Sequence, residues 1–263
     1  MSSIQDVLEG RARWCVVRGD NKVVLPTLPD KSVTHVITDP PYEAEAHTMA
    51  RRIGKGGRGE FAGSTEYAIE FAAITEQHRH EAAVEMCRTA RGWLLAFCQI
   101  EAIAAWRAAF IHGGGRWARG QVWVKPCAAP QFTGDRPGMG HESIATAWAG
   151  CGRMSWNGGG RHGVYVFPVN QNRTEPRDHP TPKPLDLMIH LIELFTDPDD
   201  LVLDPFCGSG TTGVACLRLG RRFIGIELSE KYAAVAQERM EAESQGLTLR
   251  DARAGQLSLL GGV

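Results

Sequence analysis

Short apolar runs alternate along this chain with longer segments in which apolar residues recur every three or four positions. The short runs predict seven strands, at residues 14–17, 33–38, 93–97, 121–124, 143–147, 201–203 and 223–226. The longer segments predict five helices, at residues 81–90, 100–112, 184–195, 211–219 and 230–243. Strands that alternate with helices are typical of a parallel sheet covered on both faces. We therefore expect an α/β fold, a doubly wound and mostly parallel sheet of seven strands, in a single domain over residues 1–263.

Three stretches interrupt this alternation. Residues 43–80 include the segment 51–59 (RRIGKGGRG), whose glycines and charges predict a loop or insertion rather than a packed element. Glycine, arginine, asparagine and tryptophan are frequent at about residues 150–178, and no periodicity is visible there. Residues 244–263 are mostly polar and predict a C-terminal tail. We expect these three stretches to lie outside the regular layers.

Composition narrows the class of protein only slightly. The formal net charge is −1, so no overall positive field indicates a nucleic-acid partner, and basic residues are instead concentrated locally. Local basic patches suit an enzyme that contacts phosphates with one face. None of the seven cysteines stands in a C-x-x-C pair, so we expect reduced thiols and no metal site. We found no signal-peptide pattern and no apolar stretch of 18 residues, and we therefore expect a cytoplasmic, nucleoid-associated protein.

A glycine-rich turn follows the predicted strand 201–203. Gly208 and Gly210 allow the backbone to turn tightly and to approach a bulky nucleoside closely. No lysine precedes Thr211, so the segment is not a phosphate-binding Walker loop. Glu227 ends the next predicted strand, where its carboxylate can accept both hydroxyls of a ribose. The pattern predicts a nucleoside cofactor, although similar units also serve nucleotide-dependent redox enzymes.

These segments resemble the cofactor motifs of S-adenosylmethionine-dependent DNA amino-methyltransferases. Residues 204–212 (DPFCGSGTT) and 223–227 resemble the two main motifs, and residues 179–184 (HPTPKP) resemble an HPTxKP segment that borders the methionine end of the cofactor. Residues 18–20 (RGD) resemble a GD element whose acid accepts from the adenine amino group of the cofactor. The resemblance implies S-adenosylmethionine as the cofactor, bound by Asp20, Asp39, His179, Thr181, Lys183, Asp204, Phe206, Gly208, Ser209, Gly210, Thr211 and Glu227.

The tetrapeptide Asp39-Pro40-Pro41-Tyr42 follows the predicted strand 33–38. The exocyclic amine of a base is a poor nucleophile, because its lone pair is delocalised into the ring. Acceptors held against both N–H groups favour a pyramidal nitrogen, and Asp39 offers a carboxylate while the rigid Pro40-Pro41 pair presents the Pro40 carbonyl. Tyr42 offers a face on which a flipped base can stack. We expect these four residues to form the catalytic base site.

The identity of the base is a finer prediction. In the family that the chain resembles, an acid at the first position of this tetrapeptide usually accompanies methylation of adenine N6, whereas serine favours cytosine N4. Asp39 therefore favours transfer to the N6 amine of a flipped adenine. The alternatives are cytosine-N4 methylation in the same pocket and, in a different class, a DNA- or cofactor-binding module without catalytic activity.

The order of the motifs places the base motif before the cofactor motifs. This order resembles the β-group of the amino-methyltransferases and implies a Rossmann-like methyltransferase fold with circularly permuted motifs. Residues 123–126 (WVKP) and Glu142 also resemble middle segments of the family. The resemblance places the target-recognition region at about residues 150–178. Donors that suit phosphates or base edges are Arg51, Arg52, Lys55, Arg58, Arg153, Trp156, Asn157, Arg161, His162, Asn170, Asn172 and Arg173.

Three partners are expected. The first is double-stranded DNA, which the basic residues of segment 51–59 would help to hold. The second is another copy of the chain, because a short recognition region leaves room for a homodimer. The third is the bacterial replication sliding clamp, since residues 256–260 (QLSLL) resemble QLxLF peptides that dock there, with Leu260 where phenylalanine is usual.

Overall fold

In the part of the chain that the structure describes, the apolar runs form one sheet of eight strands, one more than the pattern predicts. The strands are β1 (Trp14–Arg18), β2 (His35–Thr38), β3 (Trp93–Cys98), β4 (Arg116–Val124), β5 (His141–Trp148), β6 (Val164–Val166), β7 (Leu201–Asp204) and β8 (Arg222–Glu227), in the spatial order β1-β8-β7-β2-β3-β5-β4-β6. The structure is a computed structural model that describes residues 2–42, 73–126, 128, 131, 134–169 and 183–255. Strand β6 was missed because only Tyr165 of its three residues is buried, which is too short a pattern to separate from a loop.

Helices flank the sheet in the described ranges; five match predicted helices with different ends, and three short helices of four or five residues were not predicted. They are α1 (Ile4–Leu8), α2 (Asn21–Val24), α3 (Glu76–Thr89), α4 (Ile103–His112), α5 (Leu185–Phe195), α6 (Thr211–Arg218), α7 (Glu230–Ser244) and α8 (Leu249–Arg253), with 3-10 turns at Leu25–Thr27 and Ile100–Ala102. Helix α3 begins within the stretch predicted as a loop, because Thr75 caps it by accepting from the His78 amide. Helix α8 likewise lies within the predicted tail. No helix in the described ranges is long and apolar enough to cross a membrane.

Each face of the sheet carries its own apolar core. Alternate residues of a strand point to opposite faces, so Val36 of β2 packs with α3 and α4 while its neighbour Ile37 packs with α5, α6 and α7. The predicted apolar stripe of α5 is confirmed, since Leu187, Met188, Leu191, Ile192 and Phe195 are all buried. The doubly wound architecture therefore follows from helices that cover both faces.

Seven of the eight strands run in the same direction, and β5 alone is reversed. Four neighbouring parallel strands, β1, β8, β7 and β2, have their carboxyl ends at one edge of the sheet. At or just after those ends stand Asp20, Glu227, Asp204 and Asp39. Ligands of open α/β sheets bind outside this edge. The acidic residues singled out in the sequence are thus arranged in one row at this edge, which we call the carboxyl edge.

The reversed strand brings a further acid to the same edge. Because β5 runs antiparallel to β3 and β4, its first residues lie at the carboxyl edge, and Glu142 is one of them. Strand β4 also ends at this edge, and Lys125, the residue directly after it, pairs with Glu142. The outer half of the sheet therefore adds one acid and one base to the row.

Candidate active site

Asp39 is the point at which the base motif meets the rest of the site. Its Oδ2 atom accepts a hydrogen bond from Lys183 Nζ at 2.5 Å. Its Oδ1 atom is buried and has no hydrogen-bond partner within the part of the chain that the structure describes. A buried carboxylate oxygen without a donor is costly, so such an atom marks a place where a ligand can donate. The structure thus leaves one acceptor of Asp39 available to a substrate.

Lys183 lies among several acceptors and two aromatic rings. Besides Asp39, its Nζ atom is 3.2 Å from Glu142 Oε2 and 3.3 Å from the Tyr42 hydroxyl. It also lies over the rings of Tyr42 and Phe97, at 5.3 and 5.2 Å from the ring centres. The sequence predicted Lys183 at the cofactor, whereas the structure places its ammonium group within the base motif.

Glu142 completes a cluster of two carboxylates and two ammonium groups. Its Oε1 atom accepts from Lys125, and its Oε2 atom accepts from the Tyr42 hydroxyl and pairs with Lys183. The side chains of Glu142, Lys125 and Lys183 are only 12%, 15% and 10% exposed. Buried charges persist when they are paired in this way, and the formal charges of the cluster sum to zero. Asp39, Glu142, Lys125 and Lys183 are named the charge cluster below.

The pKa values of Asp39, Glu142 and Lys183 are shifted in directions that their neighbours explain. Burial raises the pKa of Asp39, which Lys183 lowers and Glu142 raises further. Burial also acts to raise the pKa of Glu142, but Lys183 and Lys125 bring it down to about 2. Burial would lower the pKa of Lys183, yet the two carboxylates raise it. Burial and the same carboxylates raise the pKa of Tyr42, so its hydroxyl remains a donor.

Asp204 joins the base motif to the cofactor motif. Its Oδ1 atom accepts from the Thr38 hydroxyl at 2.6 Å and from the Phe206 amide at 3.1 Å, and its Oδ2 atom accepts from the Thr212 hydroxyl at 2.7 Å. The residue is 1% exposed. The sequence predicted Asp204 at the cofactor, and in the structure both of its oxygens accept hydrogen bonds from the chain itself. Asp204 therefore fixes the end of β2 next to the glycine turn.

The glycine turn has the left-handed backbone that its glycines predict. Gly208 and Gly210 have φ values of 53° and 82°, and a Cβ atom on Gly210 would lie 3.0 Å from the Ala236 Cβ of α7. Buried Arg239, also on α7, donates to the Ser209 carbonyl at 2.8 Å and to the Thr211 hydroxyl at 3.1 Å. The predicted cofactor residues Ser209 and Thr211 are thus held from below by α7, a contact that no sequence pattern signalled.

Glu227 lies beside the glycine turn with acceptor capacity to spare. Its Oε2 atom accepts from the Gly208 amide at 2.7 Å and its Oε1 atom from the Ser229 amide at 2.8 Å. Burial raises its pKa, and these amides lower it. A carboxylate has about four lone-pair sites, so each oxygen can accept once more. Glu227 ends β8, as its predicted strand required, and it contacts the glycine turn directly.

The far end of the row is closed by a chain of hydrogen bonds around Asn21. Its Nδ2 atom donates to the Pro205 carbonyl at 3.0 Å, and its Oδ1 atom lies 2.9 Å from His78 Nε2. The His78 ring packs against the ring of Phe206, with 5.6 Å between centres. Asp20, exposed at the end of β1, caps α2 by accepting from the Lys22 amide at 2.9 Å. Asp20 and Phe206 therefore flank one end of the edge where the sequence placed a cofactor.

The predicted DNA-contacting residues are only partly brought to this edge. Trp156 packs edge-on against Phe195, with 4.9 Å between ring centres, and its Nε1 atom donates to the Gly159 carbonyl. Its segment follows the far end of β5, about 20 Å from Glu142 at 3.4 Å per residue. The expectation that Trp156 presents its ring N–H to a base was wrong, because the ring completes the core beside α5.

The remaining predicted DNA contacts have mixed placements. Arg153 is exposed in the same distant segment, and Arg161 and His162 are exposed just before β6. Asn157 donates to the Thr196 carbonyl and to Asp197 Oδ1, both at 3.0 Å, so its amide closes the end of α5 rather than facing a groove. Outside the described residues lie Arg51, Arg52, Lys55, Arg58, Asn170, Asn172, Arg173, His179, Thr181 and the segment 256–260.

Glu142 and Lys125 received no site role from the sequence. The available signal was the likeness of residues 123–126 and Glu142 to middle segments of a methyltransferase family. What that signal lacked was the direction of β5, which alone decides whether Glu142 lies at the carboxyl edge or at the opposite one.

The chain is similar in sequence to known DNA methylases. Residues 116–238 match a family model described as a DNA methylase, N6_N4_Mtase. Over these residues, a little under half of the chain, the sequence is similar to N6/N4 DNA methylases. It is 29% identical over 233 residues to YubD of Escherichia coli K12, which carries a methylase name, and this match covers 88% of the chain and 92% of that relative. It is 34% identical over 155 residues to the type II methyltransferase M.XycI of Xanthomonas campestris pv. cyanopsidis, a match that covers 54% of the chain and 51% of the relative.

Solved structures show the same fold. The M1.HpyAVI–SAM complex superposes with a TM-score of 0.63 at 24% identity, over 86% of this chain and 98% of that one. PvuII DNA methyltransferase, described as cytosine-N4-specific, superposes with a TM-score of 0.65 at 16% identity, over 86% of each chain. The predicted doubly wound fold is therefore confirmed for this protein.

Proposed function

We propose that this protein transfers the methyl group of S-adenosylmethionine to the exocyclic N6 amine of an adenine flipped out of double-stranded DNA. The observation that carries the proposal is the buried, unpartnered Oδ1 atom of Asp39 at the carboxyl edge. The amine has two N–H groups, and Asp39 Oδ1 accepts from one while the Pro40 carbonyl accepts from the other. These contacts direct the lone pair of the amine toward the methyl donor. The base takes up this orientation when it stacks on Tyr42.

The residues of the inner half of the edge fit the cofactor. Glu227 retains acceptor capacity for ribose hydroxyls, and the left-handed turn at Gly208 and Gly210 lets backbone approach closely. Asp20 follows β1, the strand next to that of Glu227, and its carboxylate can accept from the adenine amine of the cofactor. S-adenosylmethionine supplies a methyl group made electrophilic by a sulfonium. Transfer forms one N–C bond as one S–C bond breaks, and the amine releases one proton, for which Asp39 is the nearest carboxylate in the proposed site.

The charge cluster keeps the carboxylate oriented during this reaction. Lys183 holds Oδ2 of Asp39 at 2.5 Å, which leaves Oδ1 to the substrate. A base that enters the site also excludes water from the two acceptors of the amine, Asp39 Oδ1 and the Pro40 carbonyl oxygen. The exclusion of water strengthens each hydrogen bond to the amine. In this mechanism the side chains bind and orient, and no covalent bond to the protein forms.

Cytosine-N4 methylation is the second candidate. It is favoured by the likeness of the fold to a cytosine-N4-specific enzyme, whereas the acid at position 39 favours adenine. The motif order further supports the β-group arrangement. Both candidates use the same acceptors on the amine, so the site geometry supports either base.

Methylation of DNA by the purified protein tests the proposal. DNA is incubated with S-adenosylmethionine that carries a labelled methyl group, then digested to nucleosides and analysed by mass spectrometry. We expect N6-methyladenine; N4-methylcytosine would favour the second candidate, and no methylated nucleoside from the wild-type protein would refute the function.

The variant Asp39→Ala tests the mechanism in the same assay. Loss of an oriented polar group at the reacting centre lowers kcat by about 10²- to 10³-fold. Calorimetric binding of S-adenosylmethionine should remain, since Glu227 ends β8 and Gly208 lies in the turn after β7, whereas Asp39 follows β2. Asp186→Ala, an exposed carboxylate on α5, serves as the control. Full activity of Asp39→Ala would show that Asp39 does not hold the amine.

A further inference from the structure

A carboxylate that the proposed mechanism does not use lies at the centre of the base site. Glu142 binds Lys125 through Oε1, and it binds the Tyr42 hydroxyl and Lys183 through Oε2. Three of the groups around the amine pocket are therefore tied to one side chain that would touch neither base nor cofactor. Its place in the middle of these contacts indicates that it controls where they stand.

We propose that Glu142 is a positioning residue, which keeps the Lys183 ammonium group and the Tyr42 ring placed so that Asp39 Oδ1 stays open to the base amine. This inference rests on the proposed function. It assigns Glu142 a role in the reaction, distinct from a contribution to the stability of the fold.

The position of Lys183 supports the first half of the inference. An ammonium group has three N–H donors and no fixed fork geometry. Here it is drawn to Asp39 Oδ2 on one side and to Glu142 Oε2, 3.2 Å away, on the other. Without Glu142, Asp39 would be the one carboxylate paired with Lys183 among the described residues, and the ammonium group would shift toward both of its oxygens. Oδ1 would then be occupied before the base arrives.

The orientation of Tyr42 supports the second half. Its hydroxyl donates to Glu142 Oε2 and lies 3.3 Å from Lys183 Nζ. These contacts fix the plane of the ring on which the base would stack. The ring is thus oriented by a residue 100 positions away in the chain.

Lys125 balances the second negative charge of the charge cluster. It pairs with Glu142 Oε1, and its Nζ atom lies 4.7 Å from the centre of the Trp123 ring. Two carboxylates that shared Lys183 alone would leave one buried negative charge without a partner. With Lys125 present, Lys183 can serve Asp39 and Glu142 together.

The variant Glu142→Gln separates positioning from stability. Gln keeps the shape and one acceptor, but it cannot satisfy both ammonium groups and the Tyr42 hydroxyl. We expect kcat for methyl transfer to fall about 10- to 100-fold, the ratio set by a lost hydrogen bond to a charged group. Calorimetric affinity for S-adenosylmethionine should stay within about twofold, because Glu142 lies outside the cofactor end of the row. Glu193→Gln, an exposed carboxylate on α5, is the matched control.

The pH profile of kcat gives a readout that a purely structural role would not move. The charged and titratable groups around Asp39 are Lys183, Glu142, Lys125, Tyr42 and Asp204. Because the negative charge of Glu142 raises the pKa of Asp39, its removal lowers that pKa. The acid limb of the kcat profile should therefore move to lower pH in Glu142→Gln. Partial unfolding would reduce the amount of active enzyme and leave the limb in place.

A second variant keeps the inference testable if Glu142→Gln does not fold. Tyr42→Phe removes the hydroxyl that Glu142 holds and retains the ring. We expect a loss in kcat of about 5- to 10-fold with unchanged cofactor affinity, and a less than additive loss when it is combined with Glu142→Gln. If the wild-type protein is active, an unchanged kcat and an unchanged acid limb in Glu142→Gln would overturn this inference and leave the proposed function intact. If Glu142→Gln binds no cofactor, an unchanged kcat in Tyr42→Phe would overturn it instead. Inactive wild-type protein would instead refute the proposed function.

Discussion

Replacing Asp204 with Asn should stabilise the protein more at neutral pH than in mild acid. Burial raises the pKa of Asp204 from 3.8 to about 6, although the hydrogen bonds from Thr38, Thr212 and Phe206 lower it. Because the folded pKa is above the unfolded one, this group's contribution to stability is full below the unfolded value and is lost as the pH rises through the folded value. Because the pKa rises from 3.8 to about 6 on folding, the charged carboxylate opposes folding by about 3 kcal/mol at neutral pH.

Urea unfolding of the wild type and Asp204→Asn at two pH values measures this contribution. The variant does not titrate, and its amide oxygen still accepts from Thr38 or Phe206. We expect the free energy of unfolding of the variant relative to the wild type to rise by about 2 kcal/mol between about pH 4.5 and about pH 7.5. Asp186→Asn, an exposed replacement on α5, should follow the wild type at both values. A variant-minus-wild-type difference that does not change with pH would refute the raised pKa of Asp204.

Two further predictions concern the cofactor turn and the DNA contacts. Gly210→Ala should destabilise the protein by about 1–3 kcal/mol and weaken S-adenosylmethionine binding, because φ is 82° and the new Cβ would lie 3.0 Å from Ala236 Cβ. Gly255 has a similar φ of 71° but open space around it, so urea unfolding should show a smaller loss of stability for Gly255→Ala. Equal losses in the two variants would contradict the role of the Ala236 contact. Replacing Arg51, Arg52, Lys55 and Arg58 together with Ala should weaken DNA binding and reduce the slope of log affinity against log salt by up to about 0.9 per lost phosphate contact, measured by fluorescence anisotropy. An unchanged slope would exclude these residues from the phosphate contacts.

The inner half of the sheet could be predicted because its signals are local. The run Leu201–Asp204 is buried along its whole length, and the glycines that follow it have the left-handed backbone that a tight turn requires. The apolar stripe of α5 follows a helical repeat that the sequence displays directly. Each of these features depends on residues only a few positions apart, so the pattern alone was sufficient.

The outer half of the sheet could not be predicted in the same way. An apolar run does not reveal the direction of its strand, and the reversal of β5 is visible only in its antiparallel pairing with β3 and β4. Strand β6 has one buried side chain, which is too weak a pattern to predict a strand. Trp156 lies in a segment whose composition is typical of an exposed recognition loop, yet its ring packs on Phe195. Such errors arise because burial of a short or irregular segment depends on what the rest of the chain places beside it.

The sequence by itself determined the methylase motifs, their order and the inner strands that carry them. The tertiary structure alone decided which charges face one another. Lys183 lies against Asp39 and Glu142, 144 and 41 positions away in the chain, and one oxygen of Asp39 is left without a donor among the described residues. Side-chain chemistry is written in the sequence, whereas the pairing of buried charges depends on strand direction and long-range packing, which no local pattern contains.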